Sequence, residues 1–201
     1  MLKNVILDMG NVHLDFDPEY ALTHFCTSEE SRAVIRRELF EGPQWIAGDR
    51  GDITNEQRFE LVAPRVPEKY REELKTCVER WDECMVPLPG APEFLQALRA
   101  RGLGVYVLSN ACSRFYSYFP KSYPLSFFDG VVVSSDEHLV KPDPELYRIL
   151  LSRYGLSPGE CLFVDDTQAN IDGALRAGIP GYRFDGDYAR LTRHIYALLE
   201  R

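Results

Sequence analysis

The sequence predicts an α/β fold, a parallel sheet with helices on both faces and an all-helical block inserted after the first strand. Three observations carry this expectation. Short apolar runs such as Val5-Ile6-Leu7, Val131-Val132-Val133 and Cys161-Leu162-Phe163-Val164 recur along the chain. Runs of that length, bounded by turn residues, suit strands buried on both faces. From about residue 89 onward each run is followed by a stretch with helical spacing, and strand-helix alternation of this kind implies parallel pairing. Between Pro18 and about Trp81 the apolar residues fall only at helical spacing, with no alternation.

The first strand ends in Asp8-Met9-Gly10-Asn11, where the Gly-Asn pair lets the backbone turn. Within the helical block, Thr27-Ser28-Glu29-Glu30 and Thr54-Asn55-Glu56-Gln57 fit the capping box that starts helices. Gly48-Asp49-Arg50-Gly51-Asp52 reads as a turn between them. Pro67 suits the first position of a further helix running toward Trp81. Pro87-Leu88-Pro89-Gly90 punctuates the end of the block. A helix with Phe94, Leu95 and Leu98 on one face then runs to Gly102. Leu103 to Leu108 is the next strand, ending in Ser109-Asn110, and Val131 to Val133 is the third. Lys141-Pro142-Asp143 leads into a helix carrying Leu146, Ile149 and Leu150. The fourth strand ends in Asp165-Asp166. A helix from about Gln168 to Ala177, a short strand near Gly181 to Phe184 and a helix from about Tyr188 complete the chain.

Composition narrows the function. With 201 residues, the chain has room for one core and a modest insertion. It is 45% hydrophobic and 27% charged, an ordinary globular profile. A net charge of −8 argues against a nucleic-acid surface, but an anionic substrate stays open, because a metal and one lysine can invert a local field. No apolar run is long enough to span a bilayer. The absence of a leader pattern, together with five cysteines lacking any CxxC pair, predicts a cytoplasmic protein with free thiols. The four histidines form no HxxxH or HExxH pair, so a zinc site is not expected. No GxGxxG or Walker loop is present.

The candidate site comes from where the strands end. Asp8, Ser109 and Asp165-Asp166 each follow an apolar strand, and in a parallel sheet these ends share one edge, where such folds bind ligands. Any one ending alone is an ordinary turn residue; three of them, with Lys141 ahead of a helix, point to phosphoryl transfer. Carboxylates gathered on one edge repel unless a cation sits among them. An oxygen-only donor set favours Mg²⁺ as cofactor. Held by that charge, Asp8 stays ionised and can attack phosphorus to give an aspartyl-phosphate. Ser109, Asn110 and Lys141 can hold the phosphoryl oxygens.

These four segments resemble, in order and spacing, the four motifs of the haloacid dehalogenase-like superfamily. Asp8 matches the nucleophile, Ser109 the second-motif hydroxyl, Lys141 the third-motif base and Asp165-Asp166 the acidic pair of the fourth. The resemblance covers residues 1–14 and about 90–184. It implies a Rossmann-like, doubly wound core formed by residues 1–14 and 89–201, with residues 15–88 as a helical cap that closes over the site and selects the substrate. It also implies Mg²⁺ held by Asp8, the Gly10 carbonyl and Asp166, with Asp165 a helper or a ligand through water. The implied partner is a small phosphorylated metabolite; charge and run length speak against nucleic acid and membrane, and a monomer or homodimer is expected.

One position departs from the pattern. Most phosphatases of this superfamily carry a second aspartate two residues after the nucleophile, as acid and then base; here that residue is Gly10. Loss of such a group costs about 10²–10⁴-fold in rate, least where the leaving group needs little protonation. The Asp-x-Gly-Asn variant also resembles a branch that includes sugar-phosphate phosphatases. Sugar 1-phosphates and aryl phosphates are therefore the expected substrates. His13, Asp15 or a group from the cap are candidates to supply the proton in its place. His13 reads first as a loop side chain, Asp15 and Asp17 as hinge or cap residues, Cys112 as a buried thiol, Trp45 as core of the helical block and Arg50 as a solvated loop. The aromatic stretch Tyr116, Tyr118, Phe119 and Tyr123 reads as packing or a dimer contact. Two other functions compete. One is a metal-free 2-haloacid dehalogenase, against which the acidic pair counts. The other is a non-catalytic phospho-metabolite-binding protein, for which Gly10 counts.

Overall fold

The computed structural model describes residues 1–200. Strand β1 (Asn4–Leu7) leads into the helical block, which contains α1 (Pro18–Phe25), α2 (Glu29–Ile35), α3 (Pro43–Asp49), α4 (Asn55–Val62) and α5 (Arg71–Arg80). Then come α6 (Ala91–Ala100), β2 (Gly104–Ser109), α7 (Phe115–Ser122), β3 (Gly130–Val133) and the single turn α8 (Ser134–Glu137). The chain closes with α9 (Pro144–Tyr154), β4 (Cys161–Asp165), α10 (Gln168–Arg176), β5 (Gly181–Arg183) and α11 (Tyr188–Leu199).

The five strands are all parallel, in the order β3-β2-β1-β4-β5. β1 is central, and the chain winds outward from it to β3 before crossing to β4 on its other side. That reversal leaves a crevice beyond the carboxyl ends of β1 and β4. Side chains alternate between the two faces. Val5, Leu7, Val107 and Val164 pack on one face with α6, α7, α11 and the helical block, whereas Ile6, Leu108, Val132 and Phe163 pack on the other with α9 and α10. Continuous apolar runs, rather than alternating ones, are the consequence of covering both faces.

The helical block begins and ends at one place. Asp15 N donates to the Val86 carbonyl at 2.8 Å and Leu88 N to the His13 carbonyl at 2.9 Å, so the outgoing and returning chains run side by side. Capping details differ from the sequence expectation at two points. Thr54 and Gln57 form the expected reciprocal box, but at the start of α2 the pair is Ser28 with Ser31, while Thr27 is drawn to Glu73 at 2.6 Å. Ser28 has the extended backbone of an N-cap, and its hydroxyl accepts from Ser31 N at 3.1 Å. Pro67 precedes one tight turn, Glu68–Tyr70, before α5 starts at Arg71.

Candidate active site

The local chemistry of the β1 end sets the site. Register places Leu7 beside Val164, and Asp8 N donates to the Val164 carbonyl at 2.9 Å, so Asp8 enters the crevice next to Asp165. The turn is made by Asn11, whose φ of +54° is one that asparagine tolerates better than most side chains. Its amide works in both directions: Oδ1 accepts from Phe16 N at 3.1 Å and Nδ2 donates to Asp166 at 3.0 Å. Asn11 thus fixes both the exit into the helical block and the facing carboxylate.

Lys141 is the centre of the charge arrangement. Its ammonium lies 2.7 Å from Asp8 Oδ1 and 2.8 Å from Asp165 Oδ2, with its side chain 1% exposed. Burial acts to lower the Lys141 pKa, but Asp165 and Asp8 outweigh it and hold the group above its ordinary value. For Asp8, burial is the largest influence and pushes the carboxyl up to about 7; Lys141 and a hydrogen bond from Met9 N at 2.7 Å oppose it. Asp165, fully buried, is held further by Thr167 N at 2.9 Å and by the Asn170 amide. Asp8, Asp165 and Asp166 each offer an oxygen within 4.8 Å of one another. Three carboxylates around one ammonium leave an excess of negative charge that a divalent cation would balance.

The remaining expected residues surround this cluster. Asn110 and the Lys141 backbone bond reciprocally, Lys141 N to Oδ1 at 2.8 Å and Nδ2 to the Lys141 carbonyl at 3.1 Å. The amide therefore latches the Lys141 loop to the end of β2. The Ser109 hydroxyl is buried with no hydrogen-bond partner among the described residues. A cavity of about 190 Å³ opens above, with Asp8, Gly10, Asn110 and Asp166 on its floor. Its roof is aromatic: Phe16, Trp45, Trp81 and Tyr118 line it, with Phe16 stacked on Trp45 at 5.7 Å and Trp81 edge-on to Trp45 at 5.1 Å.

Some residues sit where the sequence did not place them. His13 sits in the loop, as expected, but its side chain is buried. It is 1% exposed, enclosed by Phe119, Tyr123 and Phe128, and its Nδ1 donates to the Asp8 carbonyl at 2.6 Å. Burial lowers its pKa to about 4, so it stays neutral behind the loop and does not line the cavity. Asp17 caps α1, as expected, through Glu19 N at 2.8 Å. Trp45 is buried but also faces the cavity, and Tyr118 shares that double role. Asp49, from a segment read only as a turn, lines the cavity from the helical block.

The haloacid dehalogenase-like hydrolase family model matches residues 2–178. The chain belongs to that family. The dehalogenase-like hydrolase resembles a sesquiterpene phosphatase of Aspergillus oryzae, with 25% identity over 180 residues covering 89% of this chain and 88% of that one. It is 28% identical over 179 residues to the phosphoglycolate phosphatase of Salmonella typhimurium, covering 89% of this chain and 65% of the relative's length. Among solved structures, a HAD family enzyme of Bacteroides thetaiotaomicron in complex with magnesium and inorganic phosphate superposes with a TM-score of 0.75 at 21% identity. That match covers 95% of this chain and 99% of the other. The parallel five-stranded sheet is thus the fold of this hydrolase family. No helix among the described residues is long and apolar enough to cross a membrane.

Proposed function

We propose that this hydrolase is a Mg²⁺-dependent phosphatase of small phosphorylated metabolites, with sugar 1-phosphates favoured, acting through an aspartyl-phosphate on Asp8. The observation that carries the reading is the buried Lys141 ammonium bridging Asp8 and Asp165, with Asp8 and Asp166 both lining a small cavity. The donor set fits the metal: Asp8 and Asp166 carboxylates and the Gly10 carbonyl would hold Mg²⁺. When bound, Mg²⁺ supplies positive charge that neutralises a phosphoryl group and keeps Asp8 ionised.

The protein's own groups do the rest. Met9 N orients one Asp8 oxygen, leaving the other to face the cavity. Lys141 favours the anionic form of Asp8 against the cost of burial and offers its charge to the phosphoryl oxygens. The unpartnered Ser109 hydroxyl is free to donate to one of those oxygens. The aromatic roof excludes water and offers flat faces to a sugar or aryl group. Residues 15–88 act as the cap, hinged where residues 13–15 run beside 86–88. With glycine at position 10, leaving groups that need little protonation are favoured.

A screen of phosphorylated metabolites with Mg²⁺, using Asp8→Asn as the blank, tests this. Turnover of glucose 1-phosphate and p-nitrophenyl phosphate well above that of glycerol phosphate is the expected result. Binding without turnover of any ester would favour a sensor instead, and chloride release from a 2-haloacid in the presence of a chelator would favour a dehalogenase.

A further inference from the structure

We propose that Asp49, on the helical block, is the acid that the Asp8 loop lacks: its carboxyl passes a proton to the leaving oxygen and then takes one from the attacking water. The inference rests on the phosphatase reading above.

Asp49 closes α3 and lines the same cavity as Asp8, Gly10 and Asp166. Its position is fixed from the core side. The Ser134 hydroxyl donates to the Asp49 carbonyl and accepts from Ala111 N at 2.9 Å, which pins the end of α3 to the loops after β2 and β3. Gly51, at φ +78°, runs so close that a Cβ there would lie 2.4 Å from the Ser135 carbonyl oxygen. Only glycine permits that approach, and the approach brings the preceding Asp49 over the site.

The carboxyl itself is half-buried, and no hydrogen bond from a described residue satisfies it. Burial pushes it up to about 7, with Arg58 on α4 opposing. Both protonation states are therefore available near neutrality, as a group that first gives and then takes a proton requires. The other titratable groups facing it are Cys112 and Tyr118 on the core side and Asp8 and Asp166 across the cavity. On α8, Asp136 is engaged by Tyr116 and Glu137 by Arg153 at 2.7 Å. On the turn before α3, Glu38 is held by Arg37 and Arg65.

The steps balance. An Asp8 oxygen bonds to phosphorus as the bond to the leaving oxygen breaks; that oxygen keeps the electron pair and receives the Asp49 proton. Water then bonds to phosphorus and gives its proton to the Asp49 carboxylate, while the bond to Asp8 breaks and its pair returns to the Asp8 carboxylate. An alcohol and inorganic phosphate leave, and both carboxyl groups are restored. A sugar ring packed under Trp45 would hold the cap closed over the leaving oxygen, so sugar 1-phosphates gain more from Asp49 than a small alkyl phosphate does. A nitrophenolate needs no proton.

The test uses the full chain with Mg²⁺, as wild type, Asp49→Asn, Gly10→Asp and the Asp49→Asn/Gly10→Asp double variant. A Cβ at Gly10 meets only Phe16 Cβ, at 3.8 Å, so the backbone there has room for a side chain to start. Asp49→Asn is expected to lower kcat on glucose 1-phosphate about 10²–10⁴-fold. The first burst of nitrophenol from p-nitrophenyl phosphate should keep its wild-type rate, while later turnovers slow. The fall in wild-type kcat on glucose 1-phosphate as pH rises through about 7 should vanish in the variant. The double variant should regain most of the lost kcat, which also shows that Asp49→Asn folds. An unchanged kcat and pH profile, or a raised KM alone, would overturn the assignment while leaving the phosphatase reading in place. A wild type inactive on every ester with Mg²⁺ would overturn that reading, and this one with it.

Discussion

Replacing Lys141 with methionine tests the charge arrangement at its centre. The change removes one buried ammonium and leaves its two partners, Asp8 at 2.7 Å and Asp165 at 2.8 Å, facing each other without a counter-charge. Asp165 is 0% exposed, so it cannot turn to water for solvation. Breaking a buried pair by deleting one partner costs about 3–5 kcal/mol, because the orphaned charge keeps its desolvation cost and loses its compensation. For a chain of this size that corresponds to a Tm lower by roughly 6–20 °C. The assay is urea unfolding followed by tryptophan fluorescence in metal-free buffer; the midpoint should fall with the slope unchanged. Lys141→Met/Asp165→Asn should recover part of the loss, since one orphaned acid becomes a neutral amide. Millimolar Mg²⁺ should also restore part of it, by binding the folded form alone. A metal-free unfolding free energy within about 0.5 kcal/mol of wild type, the level of an ordinary surface substitution, would refute the reasoning.

Other outcomes follow from neighbouring contacts. His13 is buried and neutral, with a pKa of about 4 against 6.5 when free. Its contribution is complete above 6.5 and is lost as pH falls toward 4, about 3 kcal/mol in all; His13→Gln should flatten that part of the stability profile measured by thermal unfolding. Asn11→Ala removes the donor that orients Asp166 and should raise the Mg²⁺ concentration for half-maximal activity about 10–100-fold. Trp45→Ala should raise KM for glucose 1-phosphate more than for a small alkyl phosphate, because the roof over the cavity is lost. Thr54→Ala removes the cap of α4 and should cost about 1 kcal/mol in urea unfolding, with little change in kcat.

Much of this molecule is readable from its chain because the strands are covered on both faces. Continuous apolar runs mark them, and the residue that ends each run is placed at the sheet edge by parallel pairing alone. Asp8, Ser109 and Asp165-Asp166 could be grouped that way, and Lys141 joined them as the one basic residue leading into the next helix. What the chain conceals depends on packing between distant segments. His13 is polar and sits in a turn, so nothing local signals that Phe119, Tyr123 and Phe128 enclose it. Asn11 is legible as a turn residue, but its hold on Asp166 spans 155 positions. Ser134 carries no local signal in the sequence, yet its hydroxyl pins the end of α3 to the core. Asp49 lies in a glycine-rich stretch whose composition says only that the chain bends, and nothing local marks it as lining the cavity. Trp45 reads as core of the helical block, and it is, but the same ring also forms the roof of the cavity.

The most direct test is to look for phosphate on the nucleophile. Rapid acid quenching of the protein turning over labelled glucose 1-phosphate with Mg²⁺, followed by peptide mass spectrometry, should place an acid-stable, base-labile phosphoryl group on the peptide containing Asp8. Asp8→Asn should show neither label nor turnover. Turnover that persists in Asp8→Asn, or label on another residue, would contradict it.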